Sequence, residues 1–110
     1  MVGHTGSIAA VITAVEAADT ALGRAVACVH EAGGVCLVTA DHGNAEQMLE
    51  PDGISPHTAH TTNPVPLVLT SDRFELQKTG GLSDLAPTIL GMLGVEIPGD
   101  MTGVPLATRP

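Results

Sequence analysis

The chain has 110 residues, four Lys+Arg against twelve Asp+Glu for a formal charge of −8, and 44% apolar residues, with no Trp, no Tyr and Phe74 as its single aromatic. The length suits one domain and the apolar share argues against intrinsic disorder. Acidity without aromatics argues against nucleic acid, whose phosphates need a basic face and whose single strands need stacking platforms. A core of Ala, Val, Leu and Ile without aromatic anchors is thin, a first hint of a missing part.

Residues 8 to 31 carry helical spacing. Ile8, Val11, Ile12, Val15, Ala18, Leu22, Val26 and Val29 recur every three or four positions, with Glu16, Asp19 and Arg24 between them. Thr5 or Ser7 is placed to cap the start, and Gly33-Gly34 to stop the helix. Val35 to Ala40 is a nearly continuous apolar run, which predicts a strand buried on both faces, as in a parallel sheet between helices. Pro66-Leu67-Val68-Leu69-Thr70 is a second candidate strand. The polar stretch from Asp41 to Pro64 joins them, and a structureless connection longer than ~12–15 residues is usually functional or disordered. Ser83 is a candidate N-cap of a second helix, with Pro87 in the first turn, Leu85, Ile89, Leu90 and Leu93 on its apolar side, and Gly94 at its end. Val95 to Pro110 has no clear period. The order helix, strand, loop, strand, helix predicts an α/β fold, but two strands make an incomplete sheet with open edges, a second hint of a missing part.

No run of eighteen apolar residues is present, so no transmembrane helix is expected. Met-Val-Gly-His-Thr-Gly-Ser at the start has neither the basic nor the apolar region of a signal peptide. Cys28 and Cys36 are too few for a disulfide framework and lie in apolar surroundings, which predicts inert core thiols in a reducing, cytoplasmic compartment.

The chemistry-bearing residues are His4, Asp41, His42, His57 and His60. Asp41-His42-Gly43-Asn44 follows the first strand at its carboxyl end, where open α/β sheets bind ligands. Adjacent strand residues point to opposite faces, so Asp41 and His42 meet one ion only if the chain turns at once, which Gly43 permits. Imidazole and carboxylate together suit Zn²⁺ or Mn²⁺ better than Ca²⁺. His57 and His60 precede the second strand, and His4 precedes the first helix. The plainer alternatives are solvated loop histidines and a turn or capping role for Asp41. His30 fits a charge at a helix C-terminus. Glu46, Glu50 and Asp52 read as solvated loop surface. No serine has an adjacent base, and no nucleophile or phosphate-loop motif occurs.

Four blocks, Met1 to Gly6, Thr39 to Met48, His57 to Pro66 and Gly81 to Leu90, resemble the cofactor-independent (2,3-bisphosphoglycerate-independent) phosphoglycerate mutases of the alkaline-phosphatase superfamily. The resemblance covers nearly the whole chain. It implies the C-terminal fragment of a three-layer α/β/α domain with a mostly parallel sheet, residues 1–110 forming part of the phosphatase domain. The N-terminal part of that domain and the phosphotransferase domain inserted in it would be absent. It implies two Mn²⁺ ions, or other divalent ions, with Asp41 and His42 on one and His4 and His60 on the other. A further ligand aspartate would fall immediately before Met1. The serine that is phosphorylated, its companion aspartate and the basic residues that hold phosphoglycerate are not in this sequence. Ser7, where many members carry Asp or Asn, is not read as a nucleophile, and His57 is given a supporting or loop-ordering role.

The function implied is interconversion of 3- and 2-phosphoglycerate in glycolysis and gluconeogenesis, with the isolated chain inactive and a weak, incomplete metal binder. Nucleic-acid and membrane partners are not expected, whereas self-association through exposed strand edges is. A related phosphatase, sulfatase or phosphopentomutase, and a non-catalytic truncated product, are the alternatives. Asn63-Pro64-Val65-Pro66 and Ala45 to Met48 favour the mutase over its relatives.

Overall fold

The helical spacing of residues 8–31 is realised as α1, Ile8–Glu31, in the computed structural model, which describes residues 1–109. Both candidate caps act in sequence. Thr5 Oγ1 donates to Val2 O and accepts from Ser7 N, and Ser7, in extended conformation, accepts from Ala10 N at 3.4 Å. Each hydroxyl thereby satisfies an N–H at or just before the first turn. The helix stops at Ala32, and Gly33 follows in the left-handed region at φ 76°. The apolar stripe is only partly covered. Val11 is buried, but Ile12 and Val15 are 54% and 53% exposed. Cys28 is also exposed and Cys36 half-buried, so Cys28 is not the core thiol that its apolar neighbours predict.

The chain divides into two compact units, Met1–Val68 and a second from Leu69 onward. In the first, a 3₁₀ turn at Val2–Thr5 leads into α1. Strands β1, Leu37–Thr39, and β2, Leu67–Leu69, pair in a two-stranded sheet, and Thr39 Oγ1 donates to Pro66 O at 2.7 Å. Both strands are shorter than their apolar runs, and neither is buried on both faces: Thr39 and Val68 are exposed. The α/β class holds. Among the described residues, however, the strands form two small sheets rather than one layer.

The connection between β1 and β2 is not structureless. An antiparallel bridge joins Gly43 to Thr61, and a second joins Leu49 to Pro56. Beyond the second, Asp52 Oδ1 accepts from Ile54 N and Ser55 N, Ser55 Oγ donates to Asp52 Oδ2, and Gly53 takes φ 70°. Residues 41–64 thus leave the sheet and return as a laddered excursion. An aspartate that receives two backbone N–H groups closes its tip.

The second unit contains elements that the sequence pattern does not show. Strands β3, Glu75–Leu76, and β4, Ala107–Thr108, pair antiparallel, Glu75 opposite Thr108 and Leu76 opposite Ala107. Helix α2, Leu85–Leu93, follows a 3₁₀ turn at Leu82–Asp84. Its N-cap is Asp84 rather than Ser83, Pro87 lies in the first turn, and Gly94 ends it at φ 69°. The expected apolar side is not uniformly inward: Ile89 and Leu93 are exposed, and the residues buried on this helix are Pro87 and Thr88. The interior is therefore organised around a hydroxyl. Thr88 is 0% exposed, donates to Asp84 O at 2.6 Å and accepts from Leu106 N at 2.8 Å. Asp84 Oδ2 accepts from Gly81 N and Oδ1 from Val104 N, both at 2.8 Å, so one carboxylate ties the turn before α2 to the segment after it. The Arg109 guanidinium lies 5.8 Å from the centre of the Phe74 ring, within cation–π range. No described helix is long and apolar enough to cross a membrane.

Thr88→Val keeps the shape but leaves the buried Leu106 N–H without its acceptor. It is expected to cost about 1–3 kcal/mol in urea unfolding, and Thr88→Ser much less. The two N–H donors hold the Asp84 pKa below its ordinary value of 3.8. A depressed native pKa stabilises above the unfolded value and loses that contribution as pH falls through the native one. Stability of the second unit should therefore fall below about pH 4, and Asp84→Asn should flatten that part of the pH profile.

Candidate metal centre

All four predicted ligands lie in the first unit, on three segments remote in sequence. His4 belongs to the 3₁₀ turn before α1, Asp41 and His42 follow β1, and His60 stands beside the Thr61 end of the inner bridge. The structure brings them together in pairs. His60 Nε2 is 3.2 Å from His4 Nε2, the His42 and His60 rings stack with centroids 3.7 Å apart, and His42 Nε2 is 3.7 Å from Asp41 Oδ1. Among the described residues, no group of three or more His, Cys, Asp or Glu side chains is arranged to hold a metal ion as it stands.

Backbone carbonyls decide where the imidazole protons sit. His4 Nδ1 is hydrogen-bonded to Thr58 O, and His42 Nδ1 to Gly43 O at 3.1 Å. A carbonyl only accepts, so each Nδ1 carries a proton, and in the neutral ring each Nε2 keeps its lone pair, the arrangement of a metal-ligating histidine. With His4 Nε2 bare, the 3.2 Å contact makes His60 Nε2 the donor in the metal-free state. Burial lowers the His60 pKa, and the His42 and His4 rings lower it further, while Asp41 opposes them.

Donor type and spacing fit a divalent transition ion in part. Two nitrogens each about 2.1 Å from one ion, at tetrahedral to right angles, stand roughly 3.0–3.4 Å apart, which brackets the separation of His4 and His60. Asp41 and His42 supply one carboxylate oxygen and one bare nitrogen, too few to enclose an ion alone.

The support of these side chains is dense. Asn44 Nδ2 donates to Ala59 O at 3.0 Å, and a Cβ on Gly3 would overlap Asn44 Oδ1, so glycine there is a matter of space. Gly43 also has no room for a side chain, since a Cβ would overlap Thr61 Oγ1 and Glu46 Oε1. Its φ is not positive, so close approach rather than a left-handed turn is why glycine fits here. His57 lies outside the cluster: its Nδ1 meets Glu50 Oε1 at 2.8 Å, its side chain is 16% exposed, and its buried Nε2 has no partner. With Glu50 it clamps the arms of the outer ladder, where His57 N donates to Met48 O and Glu50 N to Ser55 O.

The acidic residues that read as solvated surface are all engaged. Glu46 matters most, accepting from Thr61 Oγ1, from Asn63 Nδ2 at 3.1 Å and from Asn44 N at 2.6 Å. Two of its three partners are fifteen and seventeen residues away on the returning segment, so no local pattern marks it. The one available signal is its place inside the Asp41 to Met48 block.

A family model described as the metalloenzyme superfamily matches residues 1–97. The chain belongs to the metalloenzyme superfamily. Among individual relatives, the chain is 57% identical over 103 residues to the 2,3-bisphosphoglycerate-independent phosphoglycerate mutase of Rhodopseudomonas palustris, covering 94% of the chain and 20% of the relative. It is 55% identical to the enzyme of the same name from Chloroflexus aurantiacus, covering 99% of the chain and 21% of the relative. A crystal structure of Leishmania mexicana phosphoglycerate mutase at low cobalt concentration superposes with a TM-score of 0.82 at 32% identity, covering 98% of this chain and 23% of that one. The chain thus spans about a fifth of the length of the curated relatives that it matches.

Hydrogen bonds from the Thr61 hydroxyl, which contributes most, from the backbone of Glu46 itself, from Asn63 and from the Asn44 backbone hold the Glu46 pKa down to about 2 from its ordinary 4.5. The native-state contribution is therefore present above about pH 4.5 and is lost as pH falls through about 2. Carbon-detected NMR titration of the glutamate carboxyls should show Glu46 as the outlier, and Thr61→Val should raise its midpoint.

Proposed function

We propose that this chain is the metal-binding, C-terminal part of the phosphatase domain of a cofactor-independent phosphoglycerate mutase, an enzyme interconverting 3- and 2-phosphoglycerate through a phosphoserine. The observation that carries the reading is the meeting of His4, His42 and His60, from three distant segments, with two carbonyl-set tautomers. The high identity to mutases across nearly the whole chain supports the substrate class.

In this reading His4 and His60 hold one divalent ion and Asp41 and His42 a second, manganese being the ion the family resemblance favours. Remaining ligands, the serine and the basic residues that bind phosphoglycerate come from the rest of the longer protein. Bound metal ions would lower the pKa of an attacking hydroxyl and neutralise charge on the phosphoryl oxygens. The residues of this chain hold and orient. Thr58 O and Gly43 O keep the His4 and His42 protons on Nδ1, and the His60 Nε2 proton has to leave or move to Nδ1 before that nitrogen can ligate.

Calorimetric titration of the 110-residue chain with Mn²⁺ should show weak binding. Removing supporting groups around a metal typically costs ~10–100-fold in affinity, so removing a ligand in His60→Ala or Asp41→Ala should cost at least that. The chain alone should not convert 3-phosphoglycerate. Mn²⁺ binding indifferent to both substitutions would overturn the assignment of the ligands, and turnover by the chain alone would overturn the division of roles.

A further inference from the structure

We infer that Glu46 is the positioning residue of the cluster, the side chain that sets His60 against His42 by joining the segment Asp41–Asn44 to the segment Thr61–Asn63. The bridge between Gly43 and Thr61 gives one backbone hydrogen bond there, from Thr61 N to Gly43 O at 2.9 Å. Asn44 Nδ2 adds one tie, to Ala59 O on the near side of His60, but on the far side of His60 the rung stands without a second backbone bond. Glu46 adds hydrogen bonds on both sides of that rung. Oε2 takes Asn44 N from the first segment, and Oε1 takes Thr61 Oγ1 and Asn63 Nδ2 from the second. The carboxylate spans a gap that Gly43 keeps open, since any Cβ at Gly43 would occupy the place of Glu46 Oε1 and Thr61 Oγ1.

Each oxygen accepts from a different segment, Oε2 from Asn44 and Oε1 from Thr61 and Asn63, which is the arrangement of a brace. His60 is covalently next to Thr61, and His42 is two residues before Asn44. Hydrogen bonds to an ionised acceptor are about twice as strong as neutral ones, and here three converge on one group from two chain segments. Loss of the brace should therefore loosen the stacked pair of rings, 3.7 Å apart, before it affects α1, which holds its own caps.

The inference rests on the metal-centre reading only in its second measurement. In the metal-free 110-residue chain, nuclear Overhauser cross-peaks between the His42 and His60 ring protons should be present in the natural sequence and vanish in Glu46→Ala. The α1 amide resonances should stay in place. Glu46→Gln keeps one acceptor but turns an N–H₂ toward Asn44 N, so it should fall between. If Glu46→Ala does not fold, Thr61→Val, which removes a single donor, carries the test with a smaller weakening of the same cross-peaks.

In the second measurement, Mn²⁺ affinity should fall by ~10–100-fold in Glu46→Ala, the range found when groups that orient metal ligands are removed. Undiminished cross-peaks with unchanged Mn²⁺ affinity in the folded variants would overturn the inference while leaving the ligand assignment intact. Disappearance of the cross-peaks in Glu46→Ala, in a natural chain that shows no Mn²⁺ binding sensitive to His60→Ala, would sustain the brace and overturn the metal reading.

Discussion

One rung of backbone pairing, Thr61 N to Gly43 O, makes neighbours of residues that the sequence keeps far apart. Without it, Asp41 and His42 merely follow a strand and His60 belongs to a distant loop. The entropic cost of closing that loop grows only slowly with its length, so a long excursion is tolerable provided its ends are fastened well. The chain fastens them at several levels. The outer Leu49–Pro56 bridge, the Asp52 turn and the His57–Glu50 pair order the excursion itself, and Glu46 and Asn44 fasten its base. The segment thus behaves as a built arm and not as a tether.

The two units solve the problem of a core without aromatics differently. Val11 and Leu106, each 7% exposed, form the aliphatic core among the described residues, one in each unit. In the second unit the deficit is offset by a satisfied polar centre, where Thr88 and Asp84 between them engage Gly81, Val104 and Leu106. A buried hydroxyl with both its donor and its acceptor in use stabilises by direction, specifying which segment lies against α2 where small aliphatic side chains specify little. In the first unit, α1 carries an apolar stripe wider than the packing it makes, with Ile8, Ile12, Val15 and Leu22 exposed along it.

What is legible in the residues follows the range of the interactions. Helix α1 is readable from spacing and caps because everything that defines it lies within a few residues. The pairing of β3 with β4 is not, because two residues per strand are too short for alternation to show and the partners are some thirty residues apart. The buried-strand expectation for residues 35–40 fails in extent for a related reason: an apolar run reports what a segment tolerates, and the covering layers decide what is buried. His4, Asp41, His42 and His60 stand out because their chemistry is rare. Glu46 does not, since an acidic residue in a polar loop is ordinary until Thr61 and Asn63 are seen beside it.

The partner of His4 Nδ1 is an oxygen of the main chain, not of a side chain. Every amino acid supplies that same oxygen, so the choice of tautomer at His4 is blind to what residue occupies position 58 and answers only to the course of the backbone there. His42 is governed in the same way by the carbonyl of its own neighbour. The tautomer at these two rings is thus inherited from the route of the chain, and a change that bends the route, even far from any imidazole, rewrites it without touching a single histidine.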